Sequence, residues 1–359
     1  MRGNQGMAET VTLPFTVMRI AVNGSVLALG TSGSARATQA LVGALSSYPG
    51  AAVEVRQPGW SKSGSKVANA ARMACYDLWQ AGRTGPADLL VSACNIGRAP
   101  SGVPHLLVVY DALVFDQRAS FDSAFGAYAR LLIPFSMRRA TRILTISEYS
   151  RTRLLDVAEQ RTPIEVVPLP GRGELRAPRA TAGSLTVVML GATEPHKRQL
   201  AGVEAVAALR ATSGQDVRLD VIGPPGRAES ALTAALDGLP WARRLVNLPS
   251  PQVRAALDDA LLLLQPSADE GFGLPVVEAG ERGIPVVHTS AGALGEVMPA
   301  AGVRSLSPAA LASGMQALLD PAAWSVAAAA AHARAQDFSL IAYTAGIHAV
   351  LDRTLTPAP

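Results

Sequence analysis

Pro266-Ser267-Ala268-Asp269-Glu270-Gly271-Phe272-Gly273-Leu274-Pro275-Val276-Val277-Glu278-Ala279-Gly280, continued by Glu281-Arg282-Gly283-Ile284-Pro285-Val286-Val287, is the stretch on which the fold turns. It follows the apolar run 261–265, reads as a loop and then a helix, and closes on a second apolar run, 284–288. Apolar runs of this length without strict alternation suit strands buried on both faces of a parallel sheet. Gly271 and Gly273 let backbone amides come close to a ligand. Pro275 suits a first helical turn, where its missing N–H costs nothing. The loop therefore offers free amides and a positive helix end to an anion or hydroxyl. Glu270 lies in that loop, and Glu278 about one turn inside the helix. A carboxylate accepts two hydrogen bonds at once and so matches vicinal hydroxyls. Two such groups, one per sugar, would grip both ends of a nucleotide sugar.

Outward from this unit, short apolar runs alternate with Ala-rich helical stretches along the chain. Strands are predicted at 19–23, 53–56, 88–93, 106–110, 142–146 and 164–167, then at 185–190, 217–222, 244–248, 261–265 and 284–288. Helices such as 34–46, 124–139 and 200–210 lie between them. The β-α-β rhythm runs twice, which argues an α/β chain of two doubly wound, Rossmann-like domains facing across a cleft. A length of 359 residues suits two domains. The break falls at Val167-Pro168-Leu169-Pro170-Gly171, and residues 172–183 form a linker rich in Gly, Pro, Arg and Ala. The layout is then a disordered extension over 1–17, a first domain over 18–171, a second over 184–337, and a helical tail over 338–359. Ligands of open parallel sheets sit beyond the carboxyl ends of the strands, so functional residues are sought in loops after strands.

Apolar residues make up 49% of the chain and charged residues 17%, ample surface to offset chain entropy, which excludes a disordered or nucleic-acid tail protein. Cys75 and Cys94 are the only cysteines; they make neither a disulfide scaffold nor a zinc spacing and are read as small buried thiols of a reducing compartment. No apolar run reaches the roughly 18 residues of a spanning helix. The longest, Val103 to Phe115, carries His105, Tyr110 and Asp111, and Val11 to Val17 is too short for a secretory signal. These features point to the cytoplasm. The net charge of +4 hides an asymmetry, since residues 1–170 hold 17 Lys+Arg against 11 Asp+Glu and the remainder 15 against 17. Six arginines fall between Arg130 and Arg153, opposed there by Glu148 and no Asp. Such a cluster reads as solvated helix faces, or as a basic face for an anionic membrane surface or a phosphate-bearing acceptor. Nucleic acid is not an expected partner, because the arginines lack interleaved aromatics and no binding motif is present.

The stretch 266–287 resembles the E-x7-E signature of glycosyltransferase family 4, retaining enzymes with the GT-B fold. The spacing of Glu270 and Glu278 fits, as do Gly271-Phe272-Gly273-Leu274-Pro275 and Gly283-Ile284-Pro285-Val286-Val287. The resemblance implies that Glu270 contacts the transferred sugar, that Glu278 holds the nucleotide ribose, and that Gly271, Phe272, Gly273 and Leu274 line the donor site. Gly191-Ala192-Thr193-Glu194-Pro195-His196-Lys197-Arg198 is similar to the family's loop in which a lysine holds the donor diphosphate. That carries the role to Lys197, with Arg198 beside it. Cleaving a sugar–diphosphate bond develops negative charge on the leaving group, and a fixed cation stabilises it. The sequence has no Asp-x-Asp pair, so no metal and no cofactor beyond the nucleotide sugar are expected; Ala192 stands where many relatives carry a second cation.

The resemblance extends over Ala129 to Leu154, with Leu131, Leu132, Pro134, Arg138, Arg139, Ala140, Ser147, Glu148, Ser150 and Arg151 matching, and makes Ser147 a donor-side candidate. Gly30-Thr31-Ser32-Gly33-Ser34-Ala35-Arg36 opens a helix after the first strand, and the family's use of this loop makes Gly33 and Arg36 candidates for the donor phosphates. Where the family commonly shows His-Asp beside the reacting sugar, this chain has Tyr110-Asp111. Asp111 is carried over as a positioning residue and Tyr110 in place of the histidine, though a phenol with a pKa near ~10 is a poor base at neutral pH. His105 reads as a strand-start cap. By the same resemblance the first domain binds the acceptor, the second binds the donor, and the helix 340–351 returns to the first domain.

The expectation is a metal-independent retaining transferase moving a hexose or deoxyhexose, mannose or rhamnose favoured, onto a glycan or lipid-linked acceptor. The 191–197 loop favours a GDP-sugar over UDP or dTDP. It would be cytoplasmic, peripheral at the inner face of the membrane through its N-terminal arginines. The alternative is a weak or inactive nucleotide-sugar-binding relative acting as a partner subunit, motivated by Tyr110 and Ala192.

Overall fold

The structure is a computed structural model that describes residues 17–29, 33–59, 66–80, 85–121, 123–157 and 161–356. The extension expected over 1–17 therefore lies outside the described residues except for Val17, as do Gly30, Thr31 and Ser32 of the glycine-rich loop.

All eleven predicted strands form. β1 (Met18–Asn23), β2 (Ala51–Arg56), β3 (Leu89–Ser92), β4 (His105–Val108), β5 (Arg142–Thr145) and β6 (Ile164–Val166) make a sheet of order β2-β1-β3-β4-β5-β6. β7 (Thr186–Leu190), β8 (Arg218–Ile222), β9 (Ala242–Leu245), β10 (Leu262–Gln265) and β11 (Val286–His288) make a second, of order β11-β10-β7-β8-β9. Every pairing is parallel. The central strands β3, β4 and β10 are buried at every position, which is why their sequences are continuous apolar runs, whereas the edge strand β2 alternates. The two domains make a GT-B fold.

Between strands run α1 (Gly33–Ser46), α2 (Lys66–Cys75), α3 (Ser123–Met137), α4 (Glu148–Val157), α5 (Gln199–Ser213), α6 (Glu229–Leu236), α7 (Ser250–Asp259), α8 (Leu274–Glu281), α9 (Pro308–Ala317), α10 (Pro321–Ala335) and α11 (Leu340–Leu355). α11 starts on Ser339, whose hydroxyl accepts the Ala342 N–H at 3.2 Å. It buries Tyr343, Ile347, Val350 and Leu351, one stripe at helical spacing. That stripe lies on α1 of the first domain. The Tyr48 phenol donates to Asp352 at 2.6 Å, and His348 Nε2 lies 2.9 Å from the Ala44 carbonyl. One apolar cluster runs from Ile20 and Leu106 through Val188 and Leu263 to Ile347, so the two sheets share a core rather than merely touching.

The linker is fastened as well. The buried Glu281 carboxylate, at the end of α8, accepts the N–H groups of Arg172 at 2.9 Å and Gly173 at 2.7 Å. Cys75 is exposed and Cys94 half-buried, which corrects the reading of both as buried thiols. Cys75 ends α2, and small size alone does not decide that a thiol is buried.

The strand orders fix where a ligand can sit. In the first sheet the chain reverses direction between β1 and β3; in the second, between β7 and β10. Such switch points open a crevice beyond the carboxyl ends of the two strands. The loops that follow β7 and β10 are the two most distinctive segments of the sequence.

Candidate functional site

The loop after β10 begins at Gln265, the polar end of an otherwise apolar strand, and runs to Gly273. Gly273 has φ +95° and caps α8, a left-handed conformation that favours glycine, and Pro275 occupies the first turn. Glu270 is buried within this loop. Its Oε1 accepts from Gln265 Nε2 at 2.6 Å and from Ser267 Oγ at 2.7 Å.

The loop after β7 brings Lys197 to the same point. A one-turn helix, Pro195–Lys197, aims the side chain across the switch point. Nζ lies 2.6 Å from Glu270 Oε1 and 2.7 Å from Oε2. Burial alone would push the Glu270 carboxyl up, but the adjoining ammonium and the Ser267 hydroxyl hold it below its ordinary value. Glu270 is therefore an anion at neutral pH, with Oε1 taken by three donors and Oε2 by one. An ammonium has three N–H donors, so one remains for a ligand. His196 is buried, and burial first, then the neighbouring Lys197, pushes its pKa down to about 4; it is neutral here.

The first domain closes over this pair. Asp111, after β4, packs on Gly271 so closely that a Cβ there would meet the Asp111 Cβ at 2.5 Å. Burial pushes the Asp111 carboxyl up to about 6, with Glu270 and Asp269 adding to the rise, while the Leu113 N–H it accepts at 3.0 Å opposes it. The hydroxyls of Ser147 and Ser150 lie 2.8 and 3.1 Å from the Gly271 carbonyl oxygen. Glu296 of the second domain accepts the Glu148 and Tyr149 N–H groups at 2.9 and 3.1 Å, filling the positive end of α4. Gln117 Nε2 reaches Asp269 at 3.4 Å, and Ser120 Oγ accepts the His196 N–H at 3.2 Å.

Glu278 lies on α8, buried, and its Oε1 is 2.5 Å from Arg36 Nη1 of α1 and 3.4 Å from Arg172 Nε of the linker. The Gly33 backbone faces Leu274, whose Cδ1 would lie 3.9 Å from a Cβ at Gly33. Thus Glu270, Lys197, Asp111, Gly271, Ser147, Glu278, Arg36, Gly33 and Leu274 gather along one interdomain seam.

Three candidates point elsewhere. Arg198 takes a left-handed backbone, φ +51°, that turns its guanidinium to the Leu306 carbonyl at 2.9 Å, away from Glu270. The Phe272 ring is buried edge-on against Phe338 at 5.5 Å and serves the core. The Tyr110 phenol is buried against Thr38 Oγ1 at 2.8 Å, with its pKa raised by burial, so it anchors α1 to the first sheet. His105 opens β4, buried, its Nε2 2.9 Å from Ser92 Oγ. Sequence reasoning assigned no site role to Gln265, Ser267, Arg172 and Glu296, and noted Ser150 only as a matching residue. Gln265 carried a local signal, a polar residue ending the run Leu261–Leu264, and Ser150 the match quoted above. Among the described residues no group of three or more His, Cys, Asp or Glu side chains could hold a metal ion.

The site thus offers one ammonium, two carboxylates with acceptor capacity left on Glu270 Oε2 and on the second oxygen of Glu278, and a glycine-rich helix start. That combination suits a ligand bearing both hydroxyls and anionic oxygens. Residues 184–321 match the family described as Glycosyl transferases group 1. An MMP alpha-(1->4)-mannosyltransferase of Mycolicibacterium hassiacum is 31% identical over 163 residues, 45% of this chain and 40% of that protein. An O-antigen chain mannosyltransferase B of Escherichia coli is 27% identical over 223 residues, 57% of this chain and 58% of that one. The chain thus spans less than two thirds of the length of these curated relatives. Sucrose-phosphate synthase from Thermosynechococcus elongatus superposes with a TM-score of 0.73 at 16% identity, covering 94% of this chain and 98% of that structure. The chain thus has a GT-B fold, and its second domain is similar to glycosyltransferases.

Proposed function

We propose that the chain is a metal-independent retaining transferase that moves a hexose or deoxyhexose, mannose favoured, from a nucleoside diphosphate to a glycan or lipid-linked acceptor. The observation that carries this reading is the meeting of Lys197 and Glu270 at the β7–β10 switch point, with both atom pairs within 2.7 Å. Lys197 sets a positive charge where the departing diphosphate gains negative charge, in a site sheltered from water. Its third N–H is free for that oxygen. Glu270 keeps Oε2 for a sugar hydroxyl and, as an anion, favours growing positive character at the anomeric carbon. Glu278 takes the ribose through its second oxygen, and Arg36, already in contact with it, adds a second cation on the donor side. Asp111, near Glu270, helps position the sugar. Both curated relatives are mannosyltransferases, which supports a mannose donor; GDP is accordingly favoured over UDP and dTDP.

Front-face substitution, with the leaving phosphate taking the acceptor proton, fits a site whose carboxylates grip hydroxyls. The test incubates the protein with GDP-mannose, UDP-glucose or dTDP-rhamnose in chelator, reading nucleoside diphosphate release and the anomeric configuration of any product. GDP-mannose consumption in chelator, lost in Glu270→Ala while GDP still raises Tm, supports the reading. Nucleotide binding without consumption of any donor would instead favour the partner-subunit alternative. Turnover abolished by chelator and restored by manganese would overturn the Lys197-based account.

A further inference from the structure

The residues at the start of α4 reach across to the segment that carries Glu270. Ser147 precedes the helix, and its Oγ accepts the Ser150 N–H at 3.0 Å, the bond of an N-cap. The N–H groups of Glu148 and Tyr149 go instead to the carboxylate of Glu296 in the second domain, at 2.9 and 3.1 Å. A helix start leaves such donors open, so this one is finished only by the opposite domain. The Tyr149 phenol donates to the Asp269 carboxyl group. The Ser147 and Ser150 hydroxyls share the Gly271 carbonyl, whose oxygen has two lone pairs. Residues on both sides of Glu270 are therefore held from the first domain. Glu296 itself is fixed without α4, in the one-turn helix Leu294–Val297. At its near end the Ala293 N–H donates to the Glu270 carbonyl at 2.8 Å. At its far end Arg334 of α10 donates to the Glu296 and Val297 carbonyls, both at 2.9 Å. A planar trans peptide sets a carbonyl and the next N–H in opposite directions. With the Gly271 carbonyl turned to α4, the Phe272 N–H points away from it. Phe272 is buried, and among the described residues that N–H meets no protein acceptor. A buried amide requires a partner, and a hydroxyl or phosphate oxygen of a ligand beside Glu270 would supply it.

We propose that the seating of α4 on Glu296 sets segment 269–272 for reaction, with Glu296 and Ser150 as positioning residues that act through Glu270 and the Phe272 N–H. The second domain carries both groups, and the first domain aims them. Ser147 and Ser150 are fully buried, so water does not stand in for their hydroxyls while α4 is seated. When α4 lifts away, the Gly271–Phe272 peptide is free to turn and the Phe272 N–H loses its aim. Lys197 and Glu278 keep their places on the second domain. Loss of the seat therefore lowers the rate of transfer more than the affinity for nucleotide. That effect on transfer rests on the transferase reading; the seating does not, and is measured without donor.

The experiment is amide hydrogen exchange on the full chain without ligand, in the parent, Glu296→Gln and Ser150→Ala. In the parent the Tyr149 and Ala293 amides are protected. Glu296→Gln removes the charge and one of the two acceptor oxygens, so Tyr149 exchange quickens about tenfold or more. Ser150→Ala removes no partner of the Tyr149 N–H and leaves the Gly271 carbonyl its Ser147 donor, so the variant folds. One seat predicts that it nonetheless quickens Tyr149 and Ala293 exchange, about threefold, while the β10 amides exchange as in the parent. With GDP-mannose both variants lower kcat about tenfold, and the Kd for GDP stays within about twofold of the parent. The double variant is little worse than either single, because both act through one seat. Ser150→Thr, which keeps a hydroxyl, recovers kcat. Should Glu296→Gln fail to fold, Ser150→Ala decides alone. A Tyr149 amide unprotected in the parent, or Tyr149 and Ala293 exchange that Ser150→Ala leaves unchanged, overturns the proposal. So does a Ser150→Ala protein of lowered Tm whose kcat matches the parent, since the hydroxyl would then serve stability alone. If exchange follows expectation but the parent consumes no nucleotide sugar, the seating of α4 stands and the transferase reading falls.

Discussion

Replacing Lys197 by Met probes the ion pair on which the site rests. Glu270 is 6% exposed at its side chain, and Lys197 Nζ lies 2.6 and 2.7 Å from its two oxygens. At that separation and an effective dielectric of about 20 the attraction is about 6 kcal/mol before desolvation is subtracted. Removing one partner of a buried pair costs ~3–5 kcal/mol. The ammonium is 18% exposed and Gln265 and Ser267 still serve Glu270, so the lower end, about 3 kcal/mol at pH 7, is expected for Lys197→Met. In a domain of this size that is a fall in Tm of about 6–12 °C. Glu270→Gln leaves only the partly exposed ammonium and should cost less. The double variant should recover about 2 kcal/mol relative to the sum of the singles.

The pH dependence changes sign. In the parent, Glu270 is held below its ordinary 4.5, so its contribution is present above that value and is lost as pH falls through the depressed pKa. In Lys197→Met the main opposition to burial is gone and only the Gln265 and Ser267 hydrogen bonds remain against it, so the carboxyl should rise, with stability full below 4.5 and declining as pH rises through the new value. Urea denaturation of the parent, both single variants and the double at pH 5 and pH 7 reads the cost of the substitution and the decline in Lys197→Met, over a range where Glu270 leaves the parent level. If Lys197→Met matched the parent within about 0.5 kcal/mol at both pH values, the pair would not exist in solution and the reasoning would fail.

Two further changes test the surroundings of the pair. Gly271→Ala places a methyl 2.5 Å from the Asp111 Cβ while Ser147 and Ser150 hold the Gly271 carbonyl, so the loop cannot simply retreat. Stability should fall by about 1–3 kcal/mol in thermal unfolding, donor consumption by more than about tenfold, and Asp111→Gly added to it, which removes the opposing Cβ, should relieve the clash and recover part of the stability but not turnover. Asp77, buried beside Asn23 and Cys94, is pushed by burial up to about 6 from 3.8, against the hydrogen bonds it accepts. Its protonated form is the one the fold favours, so stability is full below about 4, falls by up to about 3 kcal/mol as pH rises through 6, and is level above. Asp77→Asn should flatten that decline between pH 4 and pH 7 in denaturant titrations; an unchanged slope would show that Asp77 does not cause it.

Much of the fold was legible because its signals are local. A strand buried on both faces must be an unbroken apolar run, and each run found in the sequence became a strand to within a few residues. The Glu270–Glu278 loop was legible for the same reason: glycines, a first-turn proline and two acids lie within a few turns of chain. Arg198 shows the limit. It adjoins Lys197 in sequence, yet a single left-handed residue sends the two side chains apart. Tyr110 shows another, since occupying the position beside Asp111 did not decide that its phenol would face α1.

What the sequence determined by itself was the set of elements and the short motifs on them, because hydrophobic period, turn residues and helix starts act over a few residues. The tertiary structure alone decided which motifs meet. Lys197 and Glu270 are joined because β7 pairs with β10, a choice of strand neighbours that no local pattern encodes. Arg36, Arg172 and Glu278 come together only because the linker is pinned to α8 and α11 folds back on α1. Parallel strands need long crossovers, so the order of a sheet, and with it the site at its switch point, is settled by packing across the whole domain.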